Sequence, residues 1–188
     1  MFFKKNNITL DEKTVEKAAK ELQNGSAEAF HLLYQKYSHP IYRFCLRMLD
    51  DQSFAEDAFQ ETFIRVFEQR DKFKGEHFSS WLYSIARHTC LNYIRSKKEF
   101  EIIEDDFQES EMNQDADSGM QDYIKKAVAG LPVALREALI LREYEDRSYQ
   151  EIADILGIDL SLAKVRVYRA RLVLRKVLQP LVKEIYEH

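Results

Sequence analysis

Residues 148–171 read Ser148-Tyr-Gln-Glu151-Ile-Ala-Asp-Ile-Leu-Gly157-Ile-Asp-Leu-Ser-Leu-Ala-Lys164-Val-Arg-Val-Tyr-Arg-Ala-Arg171. Ser148 followed three residues later by Glu151 is a capping box, in which hydroxyl and carboxylate each accept from the other residue's free backbone N–H and so fix a helix start. Gly157 stands where a left-handed helix stop is expected, which makes this first helix short. Ile158-Asp159 then forms a tight turn. From about Leu160 onward, Ala163, Val167, Ala170, Leu174 and either Val177 or Leu178 recur at helical spacing, while Lys164, Arg166, Arg169, Arg171 and Arg175 project elsewhere. Two helices joined in this way, the second of them basic, form a helix-turn-helix.

Working back from this stretch, Leu131-Pro132 opens a helix over about 133–143, since proline is best tolerated in a first helical turn. Further upstream, helical periodicity covers about 10–22, 26–49, 53–69 and 79–97, punctuated by Gly25, Asp50-Asp51 and Gly75. Ser53-Phe-Ala-Glu56 predicts a second capping box. The segment it opens has an apolar stripe of Ala55, Ala58, Phe59, Thr62, Phe63, Val66 and Phe67. Its opposite face offers Asp57, Gln60, Glu61, Ile64 and Glu68, an acidic surface with one apolar residue set in it. Between the two helical regions, residues 99–122 hold ten acidic residues and no Lys or Arg, lack a clear helical period, and contain Ser110, Asn113, Ser118 and Gly119. The expected fold is all-α: two small helical domains, 1–98 and 123–188, joined by a flexible acidic linker, 99–122, with the helix-turn-helix in the second.

The composition agrees. Only 5 Gly and 3 Pro occur in 188 residues, too few for a turn-rich sandwich or barrel. No stretch approaches the roughly 18 apolar residues of a membrane span, and the first ten residues lack a signal core, so the expectation is a cytoplasmic chain with no membrane insertion. Cys45 and Cys90, without Cys-x-x-Cys spacing, read as buried free thiols; neither a metal site nor a cofactor is indicated. The net charge of −4 is uneven, because outside the acidic stretch 28 basic residues face 22 acidic ones. The basic residues gather at Arg87, Arg95, Lys97 and Lys98, and again from Lys164 to Lys176. A nucleic-acid binder can hide behind such an average.

Residues near the start of a recognition helix reach base edges in the major groove, while flanking cations hold phosphates. Here Ser161, Leu162, Lys164, Val165 and Tyr168 would face bases, and Arg166, Arg169, Arg171 and Arg175 phosphates. The plain alternative is a solvated basic helix. Trp81, with Tyr83, His88, Asn92, Tyr93 and Arg95, supplies aromatics beside cations, the parts needed to stack unpaired bases, although Trp81 alone reads more simply as core. Glu56, Asp57 and Glu61 could suggest a metal or acid–base site. No histidine lies at ligand spacing from them, and there is no phosphate loop or nucleophile elbow, so surface acidity accounts for them better and no catalytic residue is assigned.

The order of these pieces resembles the extracytoplasmic-function family of bacterial sigma factors, which keep only the second and fourth conserved sigma regions. Ala29-Phe-His-Leu-Leu-Tyr-Gln-Lys-Tyr37 is similar to the first helix of region two, and residues 55–67 to its polymerase-binding helix. Phe73-Lys-Gly75, Trp81-Leu-Tyr-Ser-Ile-Ala-Arg87 and Asn92-Tyr-Ile-Arg95 resemble the reader of the −10 element; Leu131-Pro132, Arg136, residues 148–153 and 164–171 resemble region four. The resemblance implies that Asp57, Gln60, Glu61 and Ile64 dock on the β′ clamp helices of core RNA polymerase. It implies that Trp81, Arg87, His88, Asn92, Arg95, Lys97 and Lys98 meet the −10 DNA, with one base flipped into a pocket. It further implies that Ser161, Leu162, Lys164, Val165, Arg166, Tyr168, Arg169 and Arg171 meet the −35 element, that the β flap is a second polymerase contact, and that an anti-sigma factor holds a monomeric chain inactive. The acidic linker would thread the polymerase's RNA path. His88 and Asn92 stand where the family often has Asn and Asp, and Leu162 and Val165 where Thr and Ser are common. Apolar side chains there favour contact with thymine methyls.

Two other readings remain at this stage. An autonomous helix-turn-helix regulator would bind duplex DNA without polymerase, and a protein-binding helical adaptor would show no salt-dependent DNA affinity.

Overall fold

A computed structural model of the chain describes residues 10–104 and 119–186, with side chains up to 97 and from 119 to 179. All regular structure among the described residues is helical, and the chain divides into two compact units, residues 1–91 and 92–188. No described helix is long and apolar enough to cross a membrane.

In the first unit, α1 (Glu12–Gln23) and α3 (Gln52–Glu68) both pack on α2 (Ala27–Leu49); a short 3-10 turn (Arg70–Lys72) then leads to α4 (Phe78–Glu104), whose residues up to Leu91 belong to this unit. The core is built from Leu22 of α1, Leu33, Ile41, Phe44 and Met48 of α2, and Phe78, Leu82 and Tyr83 of α4, all essentially inaccessible. Each such side chain contributes roughly 1.5–3 kcal/mol by leaving water. That burial lets α2 continue through Pro40, whose missing N–H and ring would otherwise break it. Cys45 and Cys90 are free, fully buried and adjacent: a hydrogen bond with the Cys45 thiol, then burial, pushes the Cys90 thiol well up.

Helix starts follow local chemistry. Asp11 accepts from Thr14 N at 2.8 Å and Ser26 from Ala29 N at 3.2 Å. The expected capping box at Ser53 and Glu56 does not form. Asp50 ends α2 in the left-handed region at φ 52°, its N–H on Leu46 O, so the chain reverses at once and Asp51 becomes the cap, accepting from Phe54 N at 3.0 Å. An aspartate tolerates that conformation, and the reversal brings its neighbour, as good a cap as serine, to the helix start, leaving Ser53 inside α3. Glu56 instead receives Gln52 Nε2 at 2.9 Å.

In the second unit, α5 (Met120–Ala129), α6 (Val133–Glu143), α7 (Tyr149–Leu156) and α8 (Leu160–Tyr186) surround Leu131, Leu139, Ile140, Leu141, Ile152 and Ile155. Arg136 closes the α5–α6 turn by donating to the carbonyls of Ala129 and Leu131. The capping box at Ser148 and Glu151 is present, and Gly157 ends α7 at φ 64°. Ala163, Val167 and Ala170 of α8 are buried, and the stripe continues through half-buried Leu174 and Leu178, leaving Val177 exposed.

The segment read as a linker is helical at both ends: α4 runs to Glu104 and α5 begins at Met120. Residues 98–104 include neither Gly nor Pro, so nothing local stops α4 at Lys97. Residues 105–118 of that segment lie outside the described residues.

Candidate functional site

Three surfaces correspond to the residues singled out by sequence. On α3, Asp57, Gln60 and Ile64 are exposed, Ile64 at 56%, and Glu61 is half-buried, held by Arg65 at 2.8 Å and 2.5 Å. The buried stripe holds as expected except at Phe67, which is 41% exposed. Phe30 of α2 meets it edge-on at 5.5 Å, and the Arg70 guanidinium lies over its ring at 4.7 Å. Phe30, Tyr34, Phe59, Phe63, Ile64 and Phe67 thus line a groove of about 620 Å³ between α2 and α3, rimmed by Gln60 and Glu68. Sequence periodicity found the α3 half of this groove. Phe30 and Tyr34 entered only as helix residues, since their aromatic spacing of four was the one signal that they form its other wall.

On α4, positions 81, 88, 92 and 95 are separated by seven, four and three residues and therefore fall on one face over about 21 Å. Trp81 is half-buried, its ring 5.3 Å from Phe73 and 5.8 Å from Phe78, so it combines a core role with a partly open face. His88, Asn92 and Arg95 are exposed. His88 Nδ1 lies 2.7 Å from Ser84 O; a carbonyl only accepts, so Nδ1 is the donor in this bond. Arg87 is half-buried on another flank and Lys97 is exposed, whereas the Lys98 side chain lies outside the described residues. The loop before α4 turns through Gly75 and His77, both at positive φ.

On α8, Asp159 does more than make the turn. Its carboxylate accepts from Leu162 N at 2.8 Å and from the Ser161 hydroxyl at 2.5 Å, and those bonds hold it below the usual carboxylate range. Beyond this cap, Leu162, Lys164, Val165, Tyr168 and Arg169 are exposed, Tyr168 at 63%. Leu162, Val165 and Tyr168 form an apolar strip flanked by two cations. Arg166 and Arg171 differ from Arg169: Arg166 Nη1 lies 3.2 Å from Glu137 of α6, and Arg171 is bonded through Nε and Nη2 to Glu143 at 2.9 Å and 2.5 Å, which pushes its guanidinium further up. In α7, burial raises the Glu151 carboxyl, but the hydrogen bonds from Ser148 and Arg147 outweigh it and the net direction is down. Among the described residues no group of three or more His, Cys, Asp or Glu is placed to hold a metal.

The family models for Sigma-70 region 2 and for Sigma-70, region 4, match residues 33–100 and 121–174. The chain is 32% identical over 179 residues to the RNA polymerase sigma-H factor of Pseudomonas aeruginosa, covering 87% of this chain and 93% of that one. It is 31% identical over 186 residues to the ECF RNA polymerase sigma factor SigW of Bacillus subtilis, covering 90% and 100%. Among solved structures, the sigma factor RpoE in complex with the anti-sigma factor NepR from Bartonella quintana is similar, with a TM-score of 0.69, 28% identity, and coverage of 81% and 98%. CnrH in complex with the cytosolic domain of CnrY shares the fold at a TM-score of 0.69 and 19% identity, over 89% and 98% of the two chains. Helical units carrying regions two and four in this order, with relatives matched along nearly their whole length, place the chain in the extracytoplasmic-function family of bacterial RNA polymerase sigma factors.

Proposed function

We propose that the chain binds core RNA polymerase, selects promoters through −35 and −10 elements, and helps melt the −10 DNA, while the polymerase carries out the chemistry. The observation that carries this reading is the occurrence in one chain of three surfaces: the acidic and apolar face of α3, the aromatic and cationic face of α4, and the exposed, basic start of α8. Asp57, Gln60, Glu61 and Ile64 dock on the β′ clamp helices, and the second unit meets the β flap. Trp81, His88, Asn92 and Arg95 follow an unpaired strand, to which an aromatic face offers stacking and a cation offers phosphate pairing. Arg87, Lys97 and Lys98 add positive charge around that path. The helix-turn-helix lays α8 in the major groove of the −35 duplex, where Leu162, Lys164, Val165 and Tyr168 approach base edges and Arg169 a phosphate.

An anti-sigma factor that covers exposed Ile64 and Phe67 would compete with polymerase and hold the chain inactive in the cytoplasm. The RpoE structure is a complex of that sigma factor with an anti-sigma factor, NepR.

The test is run-off transcription from a genomic fragment library with bacterial core polymerase, with and without the chain. Transcripts that depend on the chain and share a −35/−10 spacing are expected. Their absence, together with DNA binding by the chain alone, would instead identify an autonomous regulator.

A further inference from the structure

Arg166 lies within the basic run of the recognition helix, where its type and position suggest a phosphate contact. Its surroundings suggest another role. Its Nη1 lies 3.2 Å from Glu137 Oε1, and the Glu137 side chain is only 2% exposed, while that of Arg166 is 22% exposed. The two residues are 29 positions apart and join α6 to α8, the most extensively packed helices of this unit, beside the buried Ala163, Val167 and Ala170. Moving Arg166 to a DNA phosphate would draw a cation away from a buried carboxylate, which is costlier than breaking an exposed pair. Its charge is already neutralised, so it has little to gain by displacing counterions from DNA. Arg171 and Glu143 form a second bridge between the same helices, but with side chains 49% and 41% exposed it is screened and easily exchanged.

We propose that Glu137 and Arg166 are positioning residues for promoter reading: the pair fixes the register of α8 on α6, presenting Leu162, Val165, Tyr168 and Arg169 to the duplex, and Arg166 makes no phosphate contact. The proposal rests on the −35 reading of α8.

The experiment uses the full chain assembled with core polymerase on a promoter recovered from the run-off selection, with affinity measured across a salt series. Arg169→Gln is expected to reduce the slope of log affinity against log salt by about 0.9, the value for one phosphate contact. Arg166→Gln is expected to weaken binding by about ten-fold at every salt concentration with the slope unchanged. Glu137→Gln, which keeps the shape of the side chain, is expected to weaken binding similarly, and the double variant to bind no worse than the weaker single. A slope reduced by Arg166→Gln overturns the proposal. So does Glu137→Gln binding as tightly as the parent or more tightly, since that is the result if the carboxylate merely withheld Arg166 from DNA. The Glu137→Gln result decides the matter even if Arg166→Gln fails to fold. If the parent complex shows no salt-dependent promoter binding and Arg169→Gln changes nothing, the −35 reading itself fails, a different pattern from either outcome for Arg166.

Discussion

Glu16 of α1 caps a helix 62 residues away: its Oε1 accepts from Phe78 N, the first residue of α4, at 3.4 Å. Gln23, at the other end of α1, donates to Phe73 O, so a single helix holds both ends of the loop that leads into α4. His77, immediately before α4, is left-handed at φ 55°. Glu16→Ala is expected to cost about 1 kcal/mol of stability, as loss of a helix cap does. It should also slow promoter melting while leaving −35 duplex affinity unchanged. Thermal denaturation and permanganate reactivity of the −10 thymines check the two halves; an unchanged melting temperature would show that the cap contributes nothing.

Asp57 and Ile64 are both exposed on α3, so exchanging their chemistry should disturb contacts with a partner rather than the fold. The double variant Asp57→Lys with Ile64→Glu is expected to lose binding to core polymerase while its stability stays within about 0.5 kcal/mol per substitution. Co-purification with core polymerase and a thermal melt decide it. Retained binding would remove α3 from the docking surface.

The apolar strip of α8 predicts readout through methyl groups. Replacing each −35 thymine in turn by uracil removes one methyl group, worth about 0.8 kcal/mol when buried, or roughly a four-fold loss of affinity. The loss is expected with the parent chain and absent with Leu162→Ser or Val165→Ser at the base each one covers. If no thymine is sensitive in this way, the strip has another purpose.

Two depressed carboxyls at the helix-turn-helix, Glu151 and Asp159, set an acid limit. Each is more acidic folded than unfolded, so its stabilising effect is complete above the unfolded values, ordinarily 4.5 for Glu and 3.8 for Asp, and is lost as pH falls through the folded ones. The second unit is therefore expected to hold its stability from neutrality to about pH 5 and to weaken below that. Glu151→Gln should flatten part of the decline. Melts followed by circular dichroism across pH 3–7 measure this, and a parallel decline in the variant would locate the effect elsewhere.

What could be read from the sequence was the chemistry acting over one helical turn. Ser148 with Glu151, Gly157, and the stripe of Ala163, Val167 and Ala170 are local patterns, and the structure keeps them. Ser53 failed as a cap because the turn was decided three residues earlier, where Asp50 adopts a left-handed conformation that aspartate only sometimes takes. Residues 98–104 looked irregular because their acidic side chains obscure the apolar period, yet they contain no residue that stops a helix. The contacts that shape the candidate surfaces were out of reach for a different reason. Glu16 with Phe78, Phe30 with Phe67, and Glu137 with Arg166 join residues 62, 37 and 29 positions apart, and periodicity within a segment is silent about which segment it meets.

Cys45 and Cys90 are the chain's 2 cysteines, both inaccessible and both within residues 1–91. A thiol reagent in solution can reach them only while that unit is open, and the raised Cys90 thiol keeps the reactive anion scarce. The rate at which an unmodified preparation takes up such a reagent is therefore a clock for breathing of the first unit alone, insensitive to fluctuations of the helix-turn-helix. A ligand seated on that unit announces itself by slowing the clock, without any label having been introduced.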